Sequence, residues 1–226
     1  MSDYDGLSKD DMTVWAGIPD IRLPKPTMIL GVGIGGSGKS TLLRPLARLL
    51  VNGVYVDKDL INYSFLWKPK GEPSDISRYY LPNTGDPIPR ISQYYGDNIC
   101  LQTYHCMLMI AKQMLGLGKH PILDGNYIKE IRRGYIDEVL KPQLRETKHR
   151  LKILLMHASP ETIRQRIVAR GSEHDANKLT DEAWRKLMQE QPPIPPEIER
   201  YPHYKVDTSF PLTQKDSDSL IEFLRS

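Results

Sequence analysis

The chain has 226 residues, 39% of them hydrophobic, enough to bury a core of its own, and it reads as one domain over residues 1–226. Its net charge of +3 permits an anionic partner without requiring one. Two cysteines, Cys100 and Cys106, lack metal-ligand spacing; no apolar run has the length of a membrane span, and Ser2-Asp3-Tyr4-Asp5 does not open a signal peptide, so a cytoplasmic protein without a membrane partner is expected.

Residues 1–26 read as an extended leader ending in Leu23-Pro24-Lys25-Pro26. Met28–Val32 is an apolar run of strand length, and the amphipathic stretch 39–50 predicts a helix that Pro45 should kink. Between them lies Gly33-Ile34-Gly35-Gly36-Ser37-Gly38-Lys39-Ser40, a full match to G-x-x-x-x-G-K-[ST] in the strand–loop–helix context the motif demands. Glycines let successive N–H groups turn inward around phosphate oxygens, and the helix N-terminus behind them favours an anion. The pattern predicts binding of a nucleoside triphosphate with Mg²⁺. Residues Gly33, Ile34, Gly35, Gly36, Ser37, Gly38 and Thr41 would surround the phosphates, Lys39 would reach the β- and γ-phosphates, and the Ser40 hydroxyl would hold the metal. Asn177-Lys178-Leu179-Thr180 fails the guanine-reading N-K-x-D pattern at its last position, which leans toward ATP.

The next strand, Val54–Val56, runs into Asp57-Lys58-Asp59 and sets two carboxylates at the edge where parallel sheets bind ligands. Such a carboxylate can take the proton of an attacking hydroxyl or cap the following helix, and both readings stand for each aspartate. Residues 62–98 form an irregular insertion on the acceptor side. There Tyr63, Phe65, Trp67, Tyr79, Tyr80, Tyr94 and Tyr95 interleave with Lys68, Lys70, Arg78 and Arg90, a pattern that suits stacking on bases or packing of a loop-rich subdomain.

A helix over 97–116 leads to the strand Pro121–Leu123, which ends in Asp124-Gly125-Asn126-Tyr127. A lone aspartate after an apolar strand is the usual Mg²⁺-side partner of a phosphate loop. A helix over 128–145 and a strand Leu151–Met156 follow, then a helix over 160–170 with Ser159 as N-cap, Pro160 at its first position and Gly171 as its stop. Arg166 and Arg170 share a face there, either to neutralise phosphoryl-transfer charge or as a solvated basic face. Residues 171–191 read as a mobile lid with a helix at 180–190, from which Arg185 would swing in on closure. The run 191–196 is a stiff proline-rich connector before the strand Tyr204–Val206 and a helix over 215–225. His157, His174 and His203 have no metal-ligand spacing. The alternation of short strands and helices predicts parallel βαβ units covered on both faces.

The order of phosphate loop, strand-end Asp59, strand-end Asp124-x-Asn126 and Arg166-x-x-x-Arg170-Gly171 ahead of a lid resembles the small P-loop kinases. The polynucleotide-kinase branch is the nearest in pattern, with zeta-toxin and gluconate-kinase relatives beside it, and the likeness runs through the motifs of residues 28–210. It implies an α/β three-layer P-loop NTPase fold with a five-stranded parallel sheet in the order 2-3-1-4-5 and a helical lid. It further implies Asp59 as general base, Lys39, Arg166 and Arg170 as catalytic phosphate contacts, Ser40 in the magnesium role and Asp124 with Asn126 as the third-strand motif; with Ser40 and Asp124 at the Mg²⁺, the residues expected on the acceptor are Asp57, Asn62, Asn126 and Arg185. Polynucleotide kinases carry an arginine three residues after the base, where this chain has Asn62; a non-terminal hydroxyl, such as that of a hydroxymethylated base, thereby becomes easier to accept. The expected function is an ATP-dependent kinase acting on a hydroxyl of DNA or RNA. A small-metabolite kinase and an ATP-hydrolysing switch protein stand as the alternatives, and the oligomeric state is left open.

Overall fold

The computed structural model describes Trp15, Ile18 and residues 20–69, 85–88, 92–145, 149–171 and 180–226. In chain order the first elements are β1 (Thr27–Val32), α1 (Lys39–Leu49), β2 (Gly53–Asp57), α2 (Lys58–Phe65), β3 (Trp67–Pro69), β4 (Gly85–Pro87), α3 (Cys100–Gly116) and β5 (His120–Asp124). They are followed by α4 (Ile128–Arg132), α5 (Lys141–Arg145), β6 (Arg150–His157), α6 (Pro160–Arg170), α7 (Asp181–Glu190), β7 (His203–Asp207) and α8 (Gln214–Arg225).

Five strands form one sheet in the spatial order β2-β5-β1-β6-β7, every neighbouring pair parallel. Counting only these five in chain order, that is 2-3-1-4-5, the order implied by the resemblance. β1 and β5 are buried at every position because helices cover both faces of the sheet. Successive side chains of β1 leave by opposite faces. Met28, Leu30 and Val32 pack with Met107, Ala111, Ile128, Ile163 and Ile167 of α3, α4 and α6. Ile29 instead joins Leu42, Leu43 and Leu46 of α1 and Leu220 and Leu224 of α8.

Four stretches differ from the sequence reading. The end of the expected leader belongs to the core: Ile21 is fully buried and bridges the chain beyond α1, donating to Leu49 O and accepting from Val51 N, both at 2.9 Å. Residues 1–14, 16, 17 and 19 of that leader lie outside the described residues. The helix expected over 128–145 is two short helices, because Gly134 takes φ +85° after α4 and a π-helical turn over Ile136–Leu140 precedes α5. A similar turn, Tyr95–Ile99, precedes α3, so the helix expected from 97 becomes regular only at Cys100. The insertion, expected to be irregular, contains the antiparallel pair β3–β4, while Lys70, Arg78, Tyr79, Tyr80 and Arg90 lie outside the described residues. α1 continues through a buried Pro45 to Leu49. Among the described residues no helix is long and apolar enough to cross a membrane.

Candidate active site

The loop between β1 and α1 lies at the carboxyl edge of the central strand, where the helix must turn back over the sheet. Gly36 and Gly38 hold φ of +85° and +78°, in the left-handed region where a side chain would strain the backbone. α1 starts at Gly38 with no side-chain cap and no acidic residue in its first turn, so its dipole and first N–H groups remain for an anion. The Ser37 hydroxyl is buried inside the loop without a hydrogen-bond partner among the described residues.

Lys39 closes over this loop, its Nζ donating to Ile34 O at 3.0 Å. Burial pushes its ammonium below the ordinary lysine value; the carboxylates of Asp124 and Asp59 oppose that, while Arg170 and Lys58 add to it. Two acids and three cations therefore converge at the loop, and a polyphosphate would supply the negative charge such a cluster needs. On the opposite side Ser40 Oγ donates to Asp124 Oδ2 at 2.7 Å, and Tyr55 OH donates to the same oxygen at 2.5 Å. Burial beside Asp124 pushes the Tyr55 phenol far above its usual value, which keeps it a donor. An all-oxygen pair such as Ser40 with Asp124 suits a hard cation like Mg²⁺. Among the described residues no group of three or more His, Cys, Asp or Glu is placed to hold a metal, so a cation here would fill its shell with phosphate oxygens and water. The loop, the uncapped helix and this pair fit a magnesium-bound nucleoside triphosphate.

The two arginines expected at the phosphates separate. Arg166 Nη1 donates to Gly36 O (3.2 Å) and Thr208 Oγ1 (3.0 Å), and its Nη2 donates to Thr208 O. Thr208 Oγ1 in turn lies 3.0 Å from Ser37 O and 3.1 Å from His157 O. Arg166 is thus committed to the loop backbone, a departure from the expected phosphate contact, and it braces the loop against the residue that follows β7. Arg170 reaches over the loop instead, with Nη2 3.6 Å from where a Cβ on Gly35 would stand.

Residues 28–194 match the AAA_33 family model, an AAA domain, and this span is well over half of the chain. The chain belongs to the AAA_33 family. Among solved structures, a "putative kinase" from Chloroflexus aurantiacus J-10-fl superposes with a TM-score of 0.59 at 16% identity, covering 89% of this chain and 97% of that one. At that identity the likeness is one of fold. No curated protein matches the chain. The family is that of an AAA domain, and the fold is that of a P-loop NTPase. The AAA_33 span carries the phosphate loop, Asp59, Asp124 and both arginines, but ends before β7 and Thr208.

On the acceptor side the four expected residues do different work. Asp57 caps α2, its Oδ1 accepting from Asp59 N at 2.8 Å, while its Oδ2 pairs with Arg44 at 3.1 Å. The capping alternative therefore holds for Asp57, whose oxygens are committed away from an acceptor. Asn62 is fully buried, donating to Tyr95 OH at 3.1 Å and accepting from Thr103 Oγ1 at 3.2 Å, so it joins α2 to α3 and cannot meet a ligand. Asn126 also holds the site together: its carbonyl accepts from Gly33 N (3.0 Å), its Oδ1 from Ile128 N (3.2 Å), and its Nδ2 donates to Gln191 (2.6 Å). Arg185 lies exposed on α7 with Nε bonded to Asp181 O in its own helix, and residues 172–179 of the expected lid lie outside the described residues. Asp59, by contrast, is exposed in the first turn of α2 and within electrostatic reach of Lys39.

Sequence reasoning missed Arg44, Tyr55 and Thr208. The first two carried a signal: Arg44 is one helical turn beyond Ser40, and Tyr55 shares a strand face with Asp57. Thr208 carried none, since only the fold brings it back to Ser37.

Proposed function

We propose that this chain is an ATP-dependent phosphotransferase of the small P-loop kinase type, in the polynucleotide-kinase branch, passing the γ-phosphoryl group to a hydroxyl. The observation that carries the reading is Lys39 buried at the loop, with the carboxylates of both Asp124 and Asp59 within electrostatic reach. One acid backs the metal-side serine, and the other opens toward solvent at the start of α2, where an acceptor can approach. The loop amides and Lys39 hold the β- and γ-phosphates, and Arg170 over Gly35 neutralises charge that builds on the transferring group. Ser40, with Asp124 behind it, would hold Mg²⁺, which would neutralise charge on the phosphates. Asp59 orients the acceptor hydroxyl and takes its proton as the acceptor oxygen bonds to the γ-phosphorus and ADP leaves.

The acceptor hydroxyl is assigned to nucleic acid, either a terminal hydroxyl or one on a modified base. Tyr63, Phe65 and Tyr94 support that assignment, as large rings left partly exposed on and beside α2, where bases could stack. Residues 1–226 form a single kinase domain in this reading, with 171–191 as its lid. The test is transfer of labelled γ-phosphate from ATP to 5′-hydroxyl oligonucleotides, hydroxymethyl-base DNA, nucleosides and sugars. Label on a polynucleotide supports the full reading, and label on sugars alone moves the acceptor to small metabolites. Free phosphate that Asp59→Asn still releases would make the protein an ATP-hydrolysing switch.

A further inference from the structure

The Asp124 carboxylate receives two hydroxyl donors on one oxygen, and only one of them belongs to the phosphate-loop motif. Ser40 Oγ and Tyr55 OH both donate to Oδ2, at 2.7 and 2.5 Å. With two donors on Oδ2, the carboxylate has little freedom to rotate about its last bond. Because Asp124 accepts the Ser40 proton, the Ser40 lone pairs are left for a cation. Tyr55 itself is held from behind. The Arg44 guanidinium sits 5.5 Å from the centre of its ring and reaches Asp57 at 3.1 Å. Asp57 caps the helix that carries Asp59, accepting its N–H at 2.8 Å.

The periodicity of the elements builds this arrangement. Ser40 and Arg44 are four apart on α1, Tyr55 and Asp57 two apart on β2, and the register sets Asp57 directly across from Asp124 of β5. A chain of polar contacts therefore runs from the metal-side pair to the cap of the base-bearing helix. Hydrogen-bonding partners behind a metal's own ligands commonly change metal affinity by 10–100-fold, roughly, through orientation alone.

We infer that Tyr55 is a positioning residue for the divalent cation: its hydroxyl locks Asp124 in the orientation that presents Ser40 to the metal. The inference rests on the nucleotide and magnesium reading of the site.

The test is Mn²⁺ binding, followed by electron paramagnetic resonance with a non-hydrolysable ATP analogue present. Tyr55→Phe keeps the ring and its stacking on Arg44 while deleting the donor. It should weaken Mn²⁺ binding to the complex by about 10-fold while metal-free nucleotide affinity in chelator stays the same. In an Asp124→Asn background the same substitution should add no further loss, since Tyr55 acts through that carboxylate. Arg44→Met, which leaves the hydroxyl in place but removes the cation over the ring, should give a smaller loss in the same direction. Mn²⁺ affinity within two-fold of wild type in every variant that folds overturns the inference while leaving the nucleotide site standing. A wild-type protein that binds the analogue but shows no Mn²⁺ dependence, or binds no analogue, overturns the inference together with the reading beneath it.

Discussion

Asp57 and Asp59, two residues apart in a single strand–helix junction, look alike as letters and are set to different tasks by geometry. Asp57 is consumed by two backbone N–H groups and Arg44, so its contribution is to stability. Asp57→Ala should cost about 1 kcal/mol for the lost cap, read as a lower urea midpoint. Asp59→Asn should leave the urea midpoint nearly unchanged and reduce phosphoryl transfer by roughly 10²–10⁴-fold, the usual weight of a positioned base. If the two variants exchange these signatures, the assignment of the base to Asp59 fails. The arginines divide in the same manner. Arg170→Ala should lower kcat by about 10²-fold with little change in melting, as loss of a transition-state contact does. Arg166→Ala removes the brace on Gly36 and Thr208, so it should lower the melting temperature and raise the KM for ATP. A spacing of four on a helix sets both arginines on one face but could not show that Arg166 braces the loop, because Thr208 arrives from 42 residues away.

Among the elements, those with one consistent pattern were legible from the sequence. β1, β5 and residues 153–156 of β6 are largely apolar because both sheet faces are covered, and α6 ends where its cap residues say, with Ser159 accepting from Thr162 N and Gly171 at φ +59°. The phosphate loop was legible because its spacing is itself the geometry. What escaped were places where packing overrides local pattern: the π-helical entries to α3 and α5, the Gly134 break and the burial of Ile21. Asn62 was misjudged for the same reason, since nothing in a polar letter marks it as interior. The junction of β1 and β5 holds one more such residue. His120 is only 5% exposed, and its Nδ1 accepts from Thr27 N at 3.1 Å, a bond that needs the neutral ring. Burial accordingly pushes its pKa below the ordinary 6.5. The unfolded chain then binds more protons than the native one between the lowered value and 6.5. Stability from this site is therefore complete above about pH 6.5 and is lost as pH falls through that window. Urea midpoints should drop from pH 7.5 to pH 5, and His120→Gln should flatten that part of the profile; an unchanged slope would remove His120 as its source.

Across the whole molecule, the phosphate loop is tied to parts of the chain that meet only in the folded state. Gly33 N reaches Asn126 O past β5, Arg166 brings α6 to Gly36, and Thr208 brings the end of β7 to Ser37. A ligand that fills the loop therefore stabilises the entire sheet rather than one hairpin, and binding should appear as global protection. Saturation at about 100 times the dissociation constant adds about 2.7 kcal/mol to the folded state. For a chain of this length that corresponds to a melting temperature higher by roughly 5–10 °C. A non-hydrolysable ATP analogue with Mg²⁺ should produce such a shift, and chelation of the metal should reduce it. Adenosine should produce almost none, because in the proposed reading the uncapped α1 terminus, Lys39 and Ser40 all recognise phosphate and its cation. The Lys39→Ala protein should melt at the same temperature with or without the analogue. Equal shifts from adenosine and the analogue would mean that the affinity resides in a base pocket, and the phosphate loop would lose its place as the centre of the site.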